Sequence, residues 1–329
     1  MRAMNKHPER RPAPLPPYCH ARRLLPLAVA ACFALPAFAN PNGASVAAGN
    51  ATFSTEGNTL TITNAPGTVI NWQQFSIRPD EITRFVQSGA MSAVLNRVTG
   101  GESSQILGQL LSNGRVFLIN PAGIAIGRGA VIDTAGFVAS SLNISDADFL
   151  AGRMKFSSVG PAGKVENHGT INGNGGPIYL IAPTVENHGV IRTDSGEILL
   201  AAGKRVDVVA GASPHLRVEI DNAAGAEAIN VGDLVGRHVS VYATALRNSG
   251  TISADRVSVT DTGSIVLHAA KDATLEASSR VTANGAAGGT VSVQAAGGTL
   301  LVEGVVEARG AAGRGGEVKL LGERVGLLG

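Results

Sequence analysis

The sequence predicts an all-β fold, a parallel β-helix closed at its start by an irregular cap, and three observations lead there. The first is internal repetition. Val165-Glu166-Asn167-His168-Gly169-Thr170-Ile171 recurs 20 residues later as Val185-Glu186-Asn187-His188-Gly189-Val190-Ile191. The apolar run Gly176-Pro177-Ile178-Tyr179-Leu180-Ile181-Ala182 recurs at the same offset as Gly196-Glu197-Ile198-Leu199-Leu200-Ala201-Ala202. A degenerate echo follows at Leu246–Ile252, and Val281–Gly288 is answered 25 residues on by Val306–Gly313. The second is composition: 42 glycines with only 4% aromatic residues and no collagen period, which suits short strands joined by tight turns. The third is that residues 40–160 lack the clean period, as expected of a terminal unit that covers the open end of a stack.

A repeat of 20 to 25 residues is one coil, too small to bury its own apolar face. Stacked coils pair each strand with its equivalents above and below, about 4.8 Å apart. Ile178, Leu180, Ile198 and Leu200 alternate on strands one coil apart and are expected to point inward. The Asn-His-Gly and Asn-Ser-Gly steps are expected at corners, because Asn and Gly tolerate left-handed backbone. Leucine-rich repeats share the period, but their leucine–asparagine consensus is missing. Within 40–160, Thr59–Thr63 alternates as a strand, whereas Ser103–Leu111 has the spacing of a short amphipathic helix or turn. About a dozen coils are expected, roughly 60 Å in length. The last residues stop in mid-pattern, so the repeat region, 161–329, is expected to continue beyond this chain.

Residues 1–39 read as a signal peptide. Arg22 and Arg23 precede the apolar run Leu24–Leu35, and Ala37-Phe38-Ala39 supplies small residues for cleavage between Ala39 and Asn40. The run is too short to span a bilayer. The whole chain has 27 basic and 25 acidic side chains. The presequence holds six of the former and one of the latter, which leaves 21 against 24, a net charge near −3 in the mature part. No basic field remains for nucleic acid or anionic lipid. Both cysteines, Cys19 and Cys32, also fall in the presequence, which excludes disulfides, thiolate metal sites and a cysteine nucleophile from the mature protein.

Four blocks then resemble a known family. They are Ile70-Asn71-Trp72-Gln73-Gln74-Phe75-Ser76-Ile77, then Ala93-Val94-Leu95-Asn96-Arg97-Val98-Thr99-Gly100-Gly101, and Ser112–Ile119 running into Asn120-Pro121-Ala122-Gly123-Ile124, all after a mature start at Asn40-Pro41-Asn42-Gly43. Their order and spacing resemble the secretion domain of filamentous-haemagglutinin-type exoproteins, the secreted partners of two-partner secretion systems. Ala122 stands where the family's hallmark has Asn, and the separate Asn-Pro-Asn-Leu motif of some members is absent. The resemblance implies a right-handed β-helix and a cognate outer-membrane barrel with periplasmic polypeptide-transport domains as partner. It also implies release at the cell surface, with adhesion as the expected final role through a host-cell or neighbouring-cell ligand. Haem binders and contact-dependent toxins are alternatives within the family.

The residues carry their own reading as well. Pro121 fixes φ and forces Asn120 to be extended, and Gly123 frees a tight bend before Ile124. Asn96, Asn120, Pro121, Gly123 and Ile124 are therefore candidates for folding the coil or meeting the transporter. Trp72 and Phe75 are expected in the core of the cap. Glu166 with His168 and Glu186 with His188 share a face and would stack, but they read as solvated strand-end residues, not metal ligands. The acids lie scattered singly, with Asp146 and Asp148 in an irregular segment, and no catalytic pair, phosphate loop or zinc pattern appears. No enzyme activity and no cofactor are expected. The rival is a secreted carbohydrate-active β-helix enzyme; for haem, His168, His188, His215, His238 and His268 are the only candidates.

Overall fold

The computed structural model describes residues 40–158, 160–209, 217–221, 225–256 and 262–328. The expected signal peptide, 1–39, and His215 lie outside these. The second of two compact units, Phe38–Gly329, is a right-handed parallel β-helix. One sheet of eleven strands runs along the stack. After its antiparallel first strand, Ala51–Glu56, it takes one parallel strand per coil, from Thr59–Asn64 to Val305–Glu307. Among the described residues these are ten coils, near the dozen expected.

The repeat sets the register. Val165 pairs Val185, Thr170 pairs Val190 and Ile178 pairs Ile198, each one coil apart. Ile178, Leu180, Ile198 and Leu200 are buried in the central core as expected. The cap is also as expected: Ser45–Ala48 lies antiparallel to Thr68–Trp72, and Ala51–Glu56 antiparallel to Thr59–Asn64. These strands cover the first rung, whose edge would otherwise offer unpaired backbone groups.

Three expectations change. Ser103–Leu111 follows the turn and not the helix of its two readings, and the turn is flanked by strands: Ser104–Ile106 and Gln109–Ser112 lie on either side of a corner at Gly108. Ile106 and Leu110 are both buried, and crossing the corner between them produces the four-residue spacing that imitates a helix. Asp146 and Asp148 do not sit in irregular chain but in a helix, Asp146–Leu150, whose N-cap Ser145 accepts from the Asp148 amide.

The third change concerns the corners. None of Gly169, Gly189, Gly232 and Gly250, nor the asparagines two residues before them, has a left-handed backbone. Glycine is needed for space: a Cβ on Gly189 would stand 2.1 Å from the Gly169 carbonyl oxygen, and one on Gly250 would stand 2.1 Å from that of Gly232. Asparagine is needed for its amide. Asn167 donates to Asn187 Oδ1 at 2.8 Å, Asn187 to Asn230 at 2.8 Å, and Asn230 to Asn248 at 2.7 Å. Each Nδ2 also reaches the carbonyl of its own corner glycine. The ladder sits between aliphatic rungs, since Ile126 pairs Asn167 and Leu275 pairs Asn248. A buried amide is tolerated there because both of its ends are satisfied.

A second layer lies outside the helix. Insertions in two coils supply the helix, the strand Met154–Ser157, and the strands Arg205–Val209 and Arg217–Asp221. The three strands form an antiparallel sheet. Phe149, Phe156, Val206 and Val208 pack on the outward side chains Phe117, Ile119, Val138, Tyr179, Ile181 and Leu199, making a second apolar core. Hence Ile178–Ala182 is buried at every position and does not alternate.

Candidate functional site

The motif residues are divided by strand alternation between the interior and the outer layer. On Ala93–Val98, Asn96 points inward and is fully buried, while Arg97 points out. Asn96 Oδ1 accepts from Trp72 Nε1 at 2.9 Å, and its Nδ2 donates to the Phe117 carbonyl at 3.3 Å. Trp72 meets Phe75 edge-on at 5.5 Å and Phe53 at 5.8 Å. Trp72 and Phe75 are thus in the core beneath the cap, and Asn96 ties the only indole of the chain to the next two rungs.

Asn120 is also fully buried. Its Nδ2 donates to Ser104 Oγ at 2.9 Å and to the Glu102 carbonyl at 3.0 Å, and its Oδ1 accepts from the Ala122 amide at 3.0 Å. Its own carbonyl accepts from Gly123 N at 2.9 Å, which closes the turn around Pro121. Gly123 has φ of +108°, and a Cβ there would stand 2.9 Å from the Lys164 carbonyl. Ile124 returns to the core, between Ser104 and Val165 on the adjoining rungs. Only Pro121 and Ala122 of the five hallmark residues reach the surface.

Arg97, absent from the sequence candidates, clamps the two layers together. Its guanidinium donates to Asn143 Oδ1, the Ile144 carbonyl and Asp146 Oδ1, the last an ion pair at 2.7 Å. It pins the start of the outer layer to the second coil. Its position directly after an inward Asn96 was the available signal, because adjacent strand residues face opposite ways. Beside it opens a cleft of about 340 Å³ lined by Arg97, Val98, Pro121, Ser141, Asn143 and Pro161. Ser141 is buried, and its Oγ has no hydrogen-bond partner among the described residues.

The Glu–His repeats do lie one above the other. Glu166 pairs Glu186 in register, and the imidazoles of His168 and His188 stack in parallel at 4.7 Å. Lys164 bridges both glutamates, and its hydrogen bond to Glu166 holds its ammonium above the usual lysine range. Among the described residues no three His, Cys, Asp or Glu side chains converge as a metal site. His238 instead meets Ser264 Oγ at 2.7 Å, and His268 tilts against Tyr242.

Comparison with known proteins decides the family. The profile described as the TPS secretion domain matches residues 37–293, well over half of the chain. The chain belongs to the TPS secretion domain family. The crystal structure of the HMW1 secretion domain from Haemophilus influenzae superposes with a TM-score of 0.73 at 36% identity, over 80% of this chain and 73% of that one. Two curated relatives, both named heme/hemopexin-binding protein and both from Haemophilus influenzae, are 45% identical over 105 residues and 40% identical over 75. These matches cover 32% and 23% of this chain, but only 12% and 8% of the relatives. The strand Met154–Ser157 pairs with Arg205–Val209 across residue 160.

Proposed function

We propose that this chain is the exported partner of a two-partner secretion system, cleaved after residue 39 and carried across the outer membrane by a cognate barrel with periplasmic polypeptide-transport domains. Residues 40–160 direct export and 161–329 begin a fibrous repeat region that serves adhesion at the cell surface. The carrying observation is the division of the hallmark. Asn96, Asn120, Gly123 and Ile124 are spent inside the first coils, while Pro121 is exposed beside the Arg97 cleft. The buried four build the cap and its first rungs; Pro121 and the cleft are what remains for the transporter to touch. Folding then drives export, because each coil closed outside adds an interface that opposes backsliding.

The test is secretion in a host carrying the barrel encoded beside this gene. Protein is expected in the medium with the barrel and in the periplasm without it. Asn120→Ala should lower the yield through misfolding; Pro121→Ala should lower it while leaving the purified fold unchanged. Full secretion without the barrel contradicts the proposal. The names of the two curated relatives favour a second reading, haem or haem-protein binding, with the stacked imidazoles of His168, half-buried, and His188, exposed, as the candidate pair. A haem titration of the purified protein, read as a Soret shift lost in His188→Ala, separates it from adhesion.

A further inference from the structure

Glu81 is a carboxylate placed deep in the cap, 3% exposed, with no lysine or arginine pairing with it among the described residues. Its Oε2 accepts from the backbone nitrogen of Asn40 at 2.8 Å and from that of Arg78 at 2.8 Å. Asn40 is itself 7% exposed and held through its backbone nitrogen and both ends of its side-chain amide. Its Nδ2 donates to the Asn58 carbonyl, and its Oδ1 accepts from Thr83 Oγ1. Asn40 also has a φ of +60°, a conformation that asparagine adopts more readily than most residues. Three strands' worth of chain thus converge on one residue, and a buried anion faces its backbone nitrogen. An uncompensated buried charge is strongly unfavourable, and two neutral amide N–H donors do not cancel it.

The sequence places Asn40 directly after the Ala37-Phe38-Ala39 cleavage pattern. We propose that Asn40 is the mature N-terminus and that Glu81 is the receptor for its α-ammonium, so that processing completes the cap. A processing endopeptidase hydrolyses the Ala39–Asn40 amide with one water. Ala39 leaves with the new carboxylate, and the nitrogen of Asn40 takes up a proton at neutral pH. The cation forms against Glu81 and provides the missing countercharge. In the precursor the same nitrogen is a neutral amide, so the cap is weaker until cleavage.

The proposal rests on the cleavage site and not on the adhesive role. Its test needs the N-terminus of the secreted protein by mass spectrometry and four purified proteins. These begin at Asn40 or carry one additional alanine before it, each with Glu81 intact or as E81Q. The lone indole, Trp72, lies in the capped core and reports its unfolding in denaturant. The added alanine is expected to lower the folding equilibrium of the cap about a hundredfold when Glu81 is present, and threefold or less in the E81Q background. Acetylating the Asn40 amine should reproduce the alanine effect without adding a residue. An N-terminus at another residue overturns the cleavage site. Equal losses in both backgrounds, or no loss in either, overturn the role of Glu81.

Discussion

Two stretches of the same helix treat their outward faces differently. Along Arg115–Ile119, Phe137–Ser140, Ile178–Ala182 and Glu197–Ala202 both faces are buried, because the helix and the three-stranded sheet cover the outside. Further on, Thr290–Val302 alternates between buried and exposed or partly exposed positions over most of its length, the pattern of a sheet wet on one side. The covered stretch adjoins the hallmark and is clamped by Arg97; the bare stretch is a plain solenoid. One fold thus carries a specialised section and an extendable one, and the difference lies entirely in two insertions.

The sharpest test compares outward residues. Leu199→Asp buries a lone carboxylate in the outer core and is expected to cost at least about 3 kcal/mol. Val266→Asp, on the outward side of the bare strand Ser264–Ala269, should cost about 1 kcal/mol or less. Denaturant midpoints followed by far-UV circular dichroism measure both. Similar losses would mean that the cover contributes nothing.

A smaller effect is expected in the asparagine ladder. Asn187→Ala removes two rung bonds, taking the acceptor from Asn167 Nδ2 and the donor from Asn230 Oδ1, a cost of about 2–3 kcal/mol. Asn248→Ala, at the end of the ladder, breaks one rung bond and should cost about half as much. Equal costs would show that the second rung bond of Asn187 adds nothing to stability.

Much of the stack was legible in the residues. The 20-residue offset gave the register, and alternation placed Leu200 and Ile178 inside. The outer layer was not legible, because Met154–Ser157 and Arg205–Val209 pair across some fifty residues. Its trace in the sequence is the unbroken apolar run Ile178–Ala182, which periodicity alone does not distinguish from a strand buried by other means. The corner asparagines were found for the wrong reason: local propensity suggests a left-handed bend, whereas the side-chain amide bonds to the next coil. Asn120 and Asn96 were legible as candidates, but their inward direction required the register. Glu81 gave no signal, since a single acid in sequence does not reveal what faces it.

The smallest effect concerns Tyr179 and Tyr242, the two tyrosines beyond residue 39. Burial, with the Glu197 carboxylate next, raises Tyr179 far above the ordinary tyrosine range; burial alone raises Tyr242. Each phenol keeps its proton longer in the folded chain than in the unfolded one. Stability is therefore complete below the unfolded value near 10 and falls as pH rises through the folded values. An absorbance titration should show Tyr242 ionising first, and Tyr242→Phe should leave only the later step. Ionisation of Tyr179 in the ordinary range would show that the cover is not packed.

Coil-by-coil passage in an unfolded state is the central claim, and a reversible cross-link tests it most directly. His168 and His188 stack at 4.7 Å on adjoining coils, outside the asparagine ladder. Equivalent residues on neighbouring rungs are about 4.8 Å apart, within disulfide reach. With both replaced by cysteine, and the cognate barrel present, the oxidised chain should remain in the periplasm, and reductant should restore it to the medium. Secretion of the oxidised double variant at the parent's level would contradict passage of an unfolded chain.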